Sequence, residues 1–325
     1  MSTTTANNPI TDLALAIAQA SGKPCTAAHG VKINTGSLSS KQTKVWMEDD
    51  VRNKIALMIA LGRHLWLYGP GGVGKSTIAQ AVLEGLGTRF YRFQGHAGIE
   101  AGDWYGAPEL DSNGNIRVIY SEIVKAMEEG IPIIIEEFNM INPIHKGPLF
   151  SMLDATSSID IQINGDVRRV KKHPGFQVIV TANDNGTGDK LHLYGGGEIE
   201  NKALVSRFAM MEVGYLPERL EKEMIIEKTG LVDKTLLDGM LQIATQTRQV
   251  AHSDPSLAEL AISPRNMIMW AESYVGVRQN GIALNHGHLA ELSLIDRLPE
   301  SMQDTLRQMV NNKLATIDIS KIKVR

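Results

Sequence analysis

Between residues 49 and 213, short apolar runs alternate with segments of helical periodicity. Each apolar run is short and several are followed by glycine or polar loops, the pattern of strands buried inside a sheet. The run around Ile133 is almost purely isoleucine, as expected of a strand covered on both faces. Strands are predicted at residues 64–68, 89–93, 131–135, 176–183 and 210–213, with helices at 49–61 and 76–86. This alternation predicts an α/β fold built on a parallel sheet.

Two segments interrupt the alternation and are predicted to form inserted β-hairpins. Residues 108–120 contain the turn-forming sequence DSNGN between strand-like flanks, and residues 158–170 contain Asn164-Gly165 between alternating apolar and polar positions. Asn-Gly suits the positive backbone angles that a tight hairpin turn requires. The predicted core is therefore a parallel sheet with two hairpin insertions.

The helical pattern takes over after Pro217 and continues to the C-terminus. The first residues are rich in Ser, Thr, Asn, Gly and Ala, apart from one short amphipathic helix predicted at 10–20. We therefore predict three parts: a partly flexible N-terminal extension at 1–45, an α/β core at 46–216 and a helical lid domain at 217–325.

A complete phosphate-binding loop pattern follows the first predicted strand. Glycines let consecutive backbone N–H groups turn into one concavity, and the helix that follows directs its positive end to the same place. In this pattern the lysine reaches the β- and γ-phosphates and the hydroxyl residue binds magnesium. The residues predicted to bind the nucleotide are Gly69, Pro70, Gly71, Gly72, Val73, Gly74, Lys75, Ser76 and Thr77. ATP and Mg²⁺ are the expected ligands.

Polar residues end two other predicted strands. Glu136 and Glu137 directly follow the isoleucine run, and Asn183 ends the strand at 176–183. The carboxyl ends of parallel strands form the edge at which α/β folds bind ligands. We expect Glu136 to hold the magnesium shell, Glu137 to polarise the attacking water and Asn183 to orient that water. A solvated acid pair and a turn asparagine are the alternatives.

Two arginines are candidates for phosphate contact because guanidinium binds phosphate oxygens in a bidentate manner. Arg207 precedes the last predicted strand, and Arg265 lies in the first turn of a helix that Ser263 caps and Pro264 opens. Each arginine could instead form a surface ion pair.

The motifs GPGGVGKS, IIIEEFN, VTAN, SRF and SPR, in this order, resemble those of AAA+ ATPases. The two hairpins make the chain similar to the MoxR and chelatase branch, and within it to the CobS-like ATPase subunits of cobaltochelatase. Glu136 stands where that family has Asp. The similarity covers the chain from Val51 to the C-terminus, and it is carried further by residues 103–106, 137–139, 173–176, 181–183, 186–189, 193–195, 215–217, 263–265 and 270–272.

This resemblance implies roles for the polar residues. Asn183 would be the sensor 1 residue, Arg207 the arginine finger that reaches a neighbouring subunit's nucleotide, and Arg265 the sensor 2 residue. The resemblance also implies a six-membered ring and a protein partner with a von Willebrand A-type domain. The triplet Trp104-Tyr105-Gly106 would line the pore in a threading ring; the alternative is a hairpin base that packs its aromatic rings into the core.

Composition narrows the choice of function. The net charge is −3 and no basic excess exists, which argues against a dedicated nucleic-acid binder. Cys25 is the only cysteine, so an intrachain disulfide is excluded.

The sequence shows neither a signal peptide nor a membrane-spanning run, and we expect a cytoplasmic protein. A remodelling ATPase, a chelatase subunit of corrin biosynthesis, a nucleic-acid motor and a nucleotide-switched scaffold remain as alternatives.

Overall fold

The computed structural model describes residues 44–163, 165–188 and 197–325. The described residues divide into two compact units. Among the described residues, the first unit comprises those up to Gly69 together with Gly74–Val213, and the second comprises Pro70–Val73 together with Gly214–Arg325. The predicted helix at 10–20, Cys25, Asn164 of the second hairpin turn, and residues 189 and 193–195 of the family resemblance lie outside the described residues.

Five parallel strands form the central sheet in the described part of the first unit, in the order β2-β5-β8-β1-β9. The α/β prediction is confirmed, with strand ends shifted by one to two residues. The sheet strands are β1 (Leu65–Tyr68), β2 (Tyr91–Gln94), β5 (Ile133–Glu136), β8 (Val178–Ala182) and β9 (Ala209–Glu212). The helices are α1 (Asp49–Ala60), α2 (Lys75–Gly85), α3 (Glu122–Glu129), α4 (Gly147–Leu153) and α5 (Lys202–Val205).

The central strands are buried on both faces. In β5 and β8, Ile133, Ile135, Val178 and Val180 belong to a cluster with Trp66, while Ile134 and the other alternate residues face the opposite side. Strand residues alternate sides with a period of two, so a strand covered on both faces is apolar at every position. This explains the uninterrupted isoleucine run that the sequence shows.

Both predicted hairpins are present. The first pairs β3 (Gly106–Leu110) with β4 (Ile116–Tyr120), and the second pairs β6 (Ser158–Ile163) with β7 (Asp166–Lys171). At the base of the first hairpin, Trp104 is fully buried, stacks on Phe93 and donates its indole N–H to the His145 carbonyl at 2.7 Å. Of the two interpretations of Trp104, the structure supports core packing rather than exposure in a pore.

His64, at the start of β1, is held in its neutral form by its surroundings. Its Nδ1 accepts a hydrogen bond from the Val178 amide at 3.0 Å. Burial lowers the pKa of His64 to about 4 from 6.5, with smaller contributions from Lys172 and Arg63, and a hydrogen bond with the Leu153 backbone acts in the opposite direction. The imidazole is therefore unprotonated at neutral pH.

We expect the protein to lose stability between pH 6.5 and about 4 because of His64. As pH falls, His64 is protonated in the unfolded chain before it is protonated in the folded protein. The contribution of His64 to the free energy of unfolding is therefore complete above pH 6.5 and is lost as pH falls towards 4. The upper limit of this loss is on the order of 3 kcal/mol. Urea midpoints at pH 7, 5.5 and 4 measure it. In His64→Asn the urea midpoint should change less with pH than in the wild type. In His96→Asn, where the replaced residue is exposed, the midpoint should change with pH as it does in the wild type.

The second unit is helical in its described residues. Its helices are α6 (Glu218–Thr229), α7 (Lys234–Ser253), α8 (Pro264–Asn280), α9 (His286–Ala290) and α10 (Glu300–Leu314). Ser263 caps α8 by accepting a hydrogen bond from the Asn266 amide, as the sequence predicts. Trp270 and Tyr274 of α8 are fully buried and supply much of its core. No helix among the described residues combines the length and the apolar character needed to cross a membrane.

Candidate functional site

The glycine loop joins β1 to α2, as the sequence predicts. Gly69, Gly72 and Gly74 have positive φ angles of 145°, 78° and 89°. A Cβ on Gly69 would lie 2.2 Å from the Val213 carbonyl oxygen, so only glycine fits there. Gly74 precedes α2, whose N-terminus has no side-chain cap. An uncapped helix start after such a loop is suited to bind an anion.

Lys75 connects the loop to the end of β8. Its side chain is buried, and its Nζ donates to the Gly69 carbonyl at 2.8 Å and to Asn183 Oδ1 at 3.0 Å. Two residues that are 108 positions apart in sequence therefore meet at one edge of the sheet. Thr77 is exposed in the first turn of α2.

An oxygen-rich face lies beside the loop. Ser76 Oγ is 3.2 Å from Thr181 Oγ1. The pairing of Ile135 with Val180 puts the next residues, Glu136 and Thr181, side by side on one face of the sheet. Ser76 of α2 approaches that face through its contact with Thr181. Hydroxyl and carboxylate oxygens are the ligands that Mg²⁺ prefers. Ser76 and Glu136 thus fit the predicted magnesium site, and Thr181 adds a third oxygen.

Glu136 also has a cationic partner. Arg92 of β2 donates from Nε to Glu136 Oε1 at 2.7 Å, and its Nη2 lies 2.5 Å from the same oxygen. The arginine side chain is 57% exposed and that of Glu136 is 14% exposed. The predicted metal ligand is therefore engaged through one of its two oxygens.

Glu137 occupies a strained turn directly after β5. Its φ and ψ are 50° and 44°, and among the described residues it is the only one other than glycine with a positive φ. Gly95 contacts this turn so closely that a Cβ there would lie 2.6 Å from the Glu136 carbonyl oxygen and 2.7 Å from that of Glu137. Left-handed backbone at a non-glycine residue costs energy and is concentrated at functional sites. The side chain of Glu137 is exposed at the sheet edge.

Asn139 fixes the relation between this turn and β8. Its side chain is 4% exposed, and its Oδ1 accepts a hydrogen bond from the Asn183 amide at 3.2 Å. The turn that begins at Glu137 is thereby joined to the residue that contacts Lys75. Such a link limits the independent movement of Glu137 and Asn183.

A buried ion pair lies next to the same turn. Lys146 and Glu200 are bonded to each other with side chains only 1% and 2% exposed, and the ammonium lies 4.1 Å from the centre of the Phe138 ring. Burial lowers the pKa of Lys146 and raises the pKa of Glu200, although each charge favours ionisation of the other. The Glu200 amide also donates to the Gly186 carbonyl at 3.0 Å. The pair thus anchors the chain that follows Asn183.

Each of the two candidate arginines has neighbours within its own unit. Arg207 donates to Asp154 Oδ1 at 2.8 Å and its guanidinium is 5.0 Å from the Phe150 ring centre, so within its own chain it forms an ion pair. Arg265 is exposed in the first turn of α8. Within the second unit, a Cβ on Gly72 would lie 3.4 Å from the Arg265 Cβ, which makes Arg265 a neighbour of the loop tip.

Comparison with known proteins identifies the first unit. Residues 64–208 match the family model described as AAA domain, dynein-related subfamily. This part of the chain is similar to AAA domains, which supports ATPase activity for the protein. The parallel α/β sheet and the helical C-terminal region agree with that similarity.

More distant relatives give no finer assignment. The chain is 25% identical over 225 residues to uncharacterised proteins of Staphylococcus haemolyticus and Staphylococcus aureus, covering 68% of this chain and 81% of each relative. A mutant of Thermotoga maritima RuvB is similar in structure, with 16% identity, a TM-score of 0.46 and coverage of 85% of this chain and 73% of RuvB. Function beyond the ATPase class therefore has to be argued from the site.

Sequence reasoning assigned no role to Thr181, Arg92, Asn139, Gly95 or the Lys146–Glu200 pair. Thr181 carried a usable signal, because a hydroxyl residue in an apolar strand beside the loop could face Ser76. The Lys146–Glu200 pair joins residues 54 positions apart, and no local pattern in the sequence marks it.

Proposed function

We propose that this protein is a ring-forming AAA+ ATPase of the MoxR type that couples ATP hydrolysis to the remodelling of a protein partner. The supporting observation is the contact of Lys75 with Asn183 at 3.0 Å, beside the strained turn of Glu137. A phosphate-binding lysine, a polar group at a strand end and an exposed carboxylate are the groups that γ-phosphate hydrolysis requires.

In the proposed mechanism the glycine loop and Lys75 hold the phosphates of ATP, with Arg265 contacting the same nucleotide. Glu137 accepts a hydrogen bond from the attacking water and takes its proton as general base, and Asn183 orients that water. Ser76 and Glu136 would hold Mg²⁺, which neutralises charge on the phosphate oxygens when bound. Fixed dipoles and charges placed around the γ-phosphate stabilise the charge that develops during transfer.

Arg207 acts in trans in this proposal. In a head-to-tail ring, each subunit presents a surface to the neighbouring subunit's site, and Arg207 would leave Asp154 to reach that nucleotide. A hexamer and a partner with a von Willebrand A-type domain are the assembly that the MoxR resemblance suggests. For ATP hydrolysis to change the conformation of such a partner, the core and the lid would have to move during the hydrolysis cycle.

Mixing two inactive variants tests the shared site. Arg207→Ala should lose at least about ten-fold in ATPase rate and Glu137→Gln at least about 100-fold, because each variant lacks one of the two residues that every shared site needs. An equal mixture of the two should regain activity, since about a quarter of the interfaces combine an intact Glu137 with an intact Arg207. The measurement is steady-state phosphate release across protein concentration. A mixture as inactive as its components would contradict action in trans.

A nucleotide-switched scaffold is the second candidate, and the bond between Glu136 and Arg92 favours it. A magnesium ligand that is engaged by a cation would slow turnover more than nucleotide binding. ATP binding without phosphate release, in the presence of magnesium and at concentrations at which the protein assembles, would support the scaffold and reject the hydrolytic motor.

A further inference from the structure

Arg92 and Glu136 are diagonal neighbours on adjacent parallel strands. Arg92 pairs with Ile134 in the sheet register, and Glu136 is two residues further along β5, so both side chains extend from the same face. That face also carries Thr181, which Ser76 of α2 contacts. The arginine therefore reaches the oxygen-rich face from its outer side.

The length of the glutamate side chain makes the bond possible. Both guanidinium contacts, at 2.7 and 2.5 Å, end on Oε1. The side chain of an aspartate at this position would be one methylene shorter. With Arg92 in its present position, the carboxylate oxygen of that aspartate would lie beyond hydrogen-bond distance of the guanidinium. Glu136 and Arg92 thus form a matched pair in which each side chain spans the gap to the other.

We propose that Arg92 competes with the magnesium ion of the bound nucleotide for Glu136 and so weakens the coupling between magnesium and nucleotide binding. This inference rests on the proposed ATP site. An oxygen that accepts two N–H groups of a cation is a poorer ligand for a second cation, and the charge of the guanidinium opposes that of the ion. Arg92 is more than half exposed, so its guanidinium can move into solvent when the ion binds.

The size of the effect follows from the exposure of the pair. Ion pairs with one exposed partner are weak, so removing the competitor should change magnesium coupling by about three- to ten-fold. Coupling is the ratio of nucleotide dissociation constants measured in EDTA and in saturating magnesium. It is a property of binding alone and does not depend on the rate of hydrolysis.

The experiment measures the anisotropy of a fluorescent ATP analogue bound to full-length protein carrying Glu137→Gln, in EDTA and in magnesium. Arg92→Gln should increase the coupling ratio about three- to ten-fold while leaving affinity in EDTA unchanged. Arg92→Lys, which keeps the charge without the planar fork, should give an intermediate ratio. Arg169→Gln is the matched control, because Arg169 forms a comparable ion pair with Asp160 on the second hairpin.

A double-mutant comparison separates competition from a structural role. Glu136→Asp should increase the ratio by itself, and adding Arg92→Gln to it should produce no further change, because the shortened acid no longer reaches the arginine. An unchanged or smaller ratio in Arg92→Gln would overturn the inference while leaving the ATP site intact. A wild-type protein that binds no nucleotide in either buffer would instead overturn the proposed function.

Discussion

Glu137→Gln should reduce the ATPase rate at least about 100-fold while nucleotide affinity changes less than about three-fold. A positioned general base typically contributes a factor of about 10² to 10⁴ in rate, and an amide cannot take the proton of the attacking water. Gln has the shape of Glu and keeps the side chain in the same exposed turn. The loss should therefore appear in kcat rather than in binding, as measured by phosphate release and by titration with a fluorescent ATP analogue.

The matched control for this substitution is Glu109→Gln. Glu109 forms an exposed ion pair with Arg117 on the first hairpin, so its replacement removes one negative charge far in sequence from the turn of Glu137. We expect wild-type turnover in this control. If Glu137→Gln retained a third or more of the wild-type rate, Glu137 would not be the base, and its strained backbone would need another explanation.

Lys146→Met should destabilise the first unit by about 3–5 kcal/mol at pH 7. The substitution leaves Glu200 buried without its cationic partner, and an uncompensated buried charge has this typical cost. Glu200 Oε2 has no hydrogen-bond partner among the described residues, so the carboxylate depends on Lys146 for its stabilisation. The urea midpoint, followed by the fluorescence of the buried tryptophans, measures the loss.

Two comparisons identify the source of that loss. Burial already raises the pKa of Glu200, so protonation should shrink the deficit of Lys146→Met as pH is lowered from 7 towards 5. The double variant Lys146→Met/Glu200→Met should recover most of the stability, because apolar residues of similar volume replace a buried pair at little cost. A double variant as unstable as the single one would show that packing, and not the unpaired charge, causes the effect.

The strand-loop-helix order could be predicted because it depends on local patterns. The isoleucine run indicated β5, the glycine loop indicated the start of α2, and turn residues indicated both hairpins. Ser263 and Pro264 likewise marked the start of α8. Each of these signals arises from backbone preference and side-chain periodicity within a few residues, which a single sequence carries in full.

The candidate site could be predicted residue by residue but not as an arrangement. Lys75, Glu137 and Asn183 each followed from a motif, and their catalytic roles remain predictions. Their mutual geometry depends on parallel pairing between strands distant in sequence, which joins β5, β8 and β1 at one edge. For the same reason, the sequence could not decide whether Trp104 lines a pore or packs in the core. Its burial depends on residues distant in sequence that pack against the ring.

The sequence by itself determined that this protein has an α/β core with a glycine loop, two hairpins and a helical region, since those features are set by local periodicity and by a contiguous loop motif. Only the tertiary structure decided which polar side chains meet. The Arg92–Glu136 bond, the Asn139–Asn183 link and the buried Lys146–Glu200 pair join residues 44 to 54 positions apart. Such contacts follow from strand order and register, which bring distant residues together and leave no local trace in the chain.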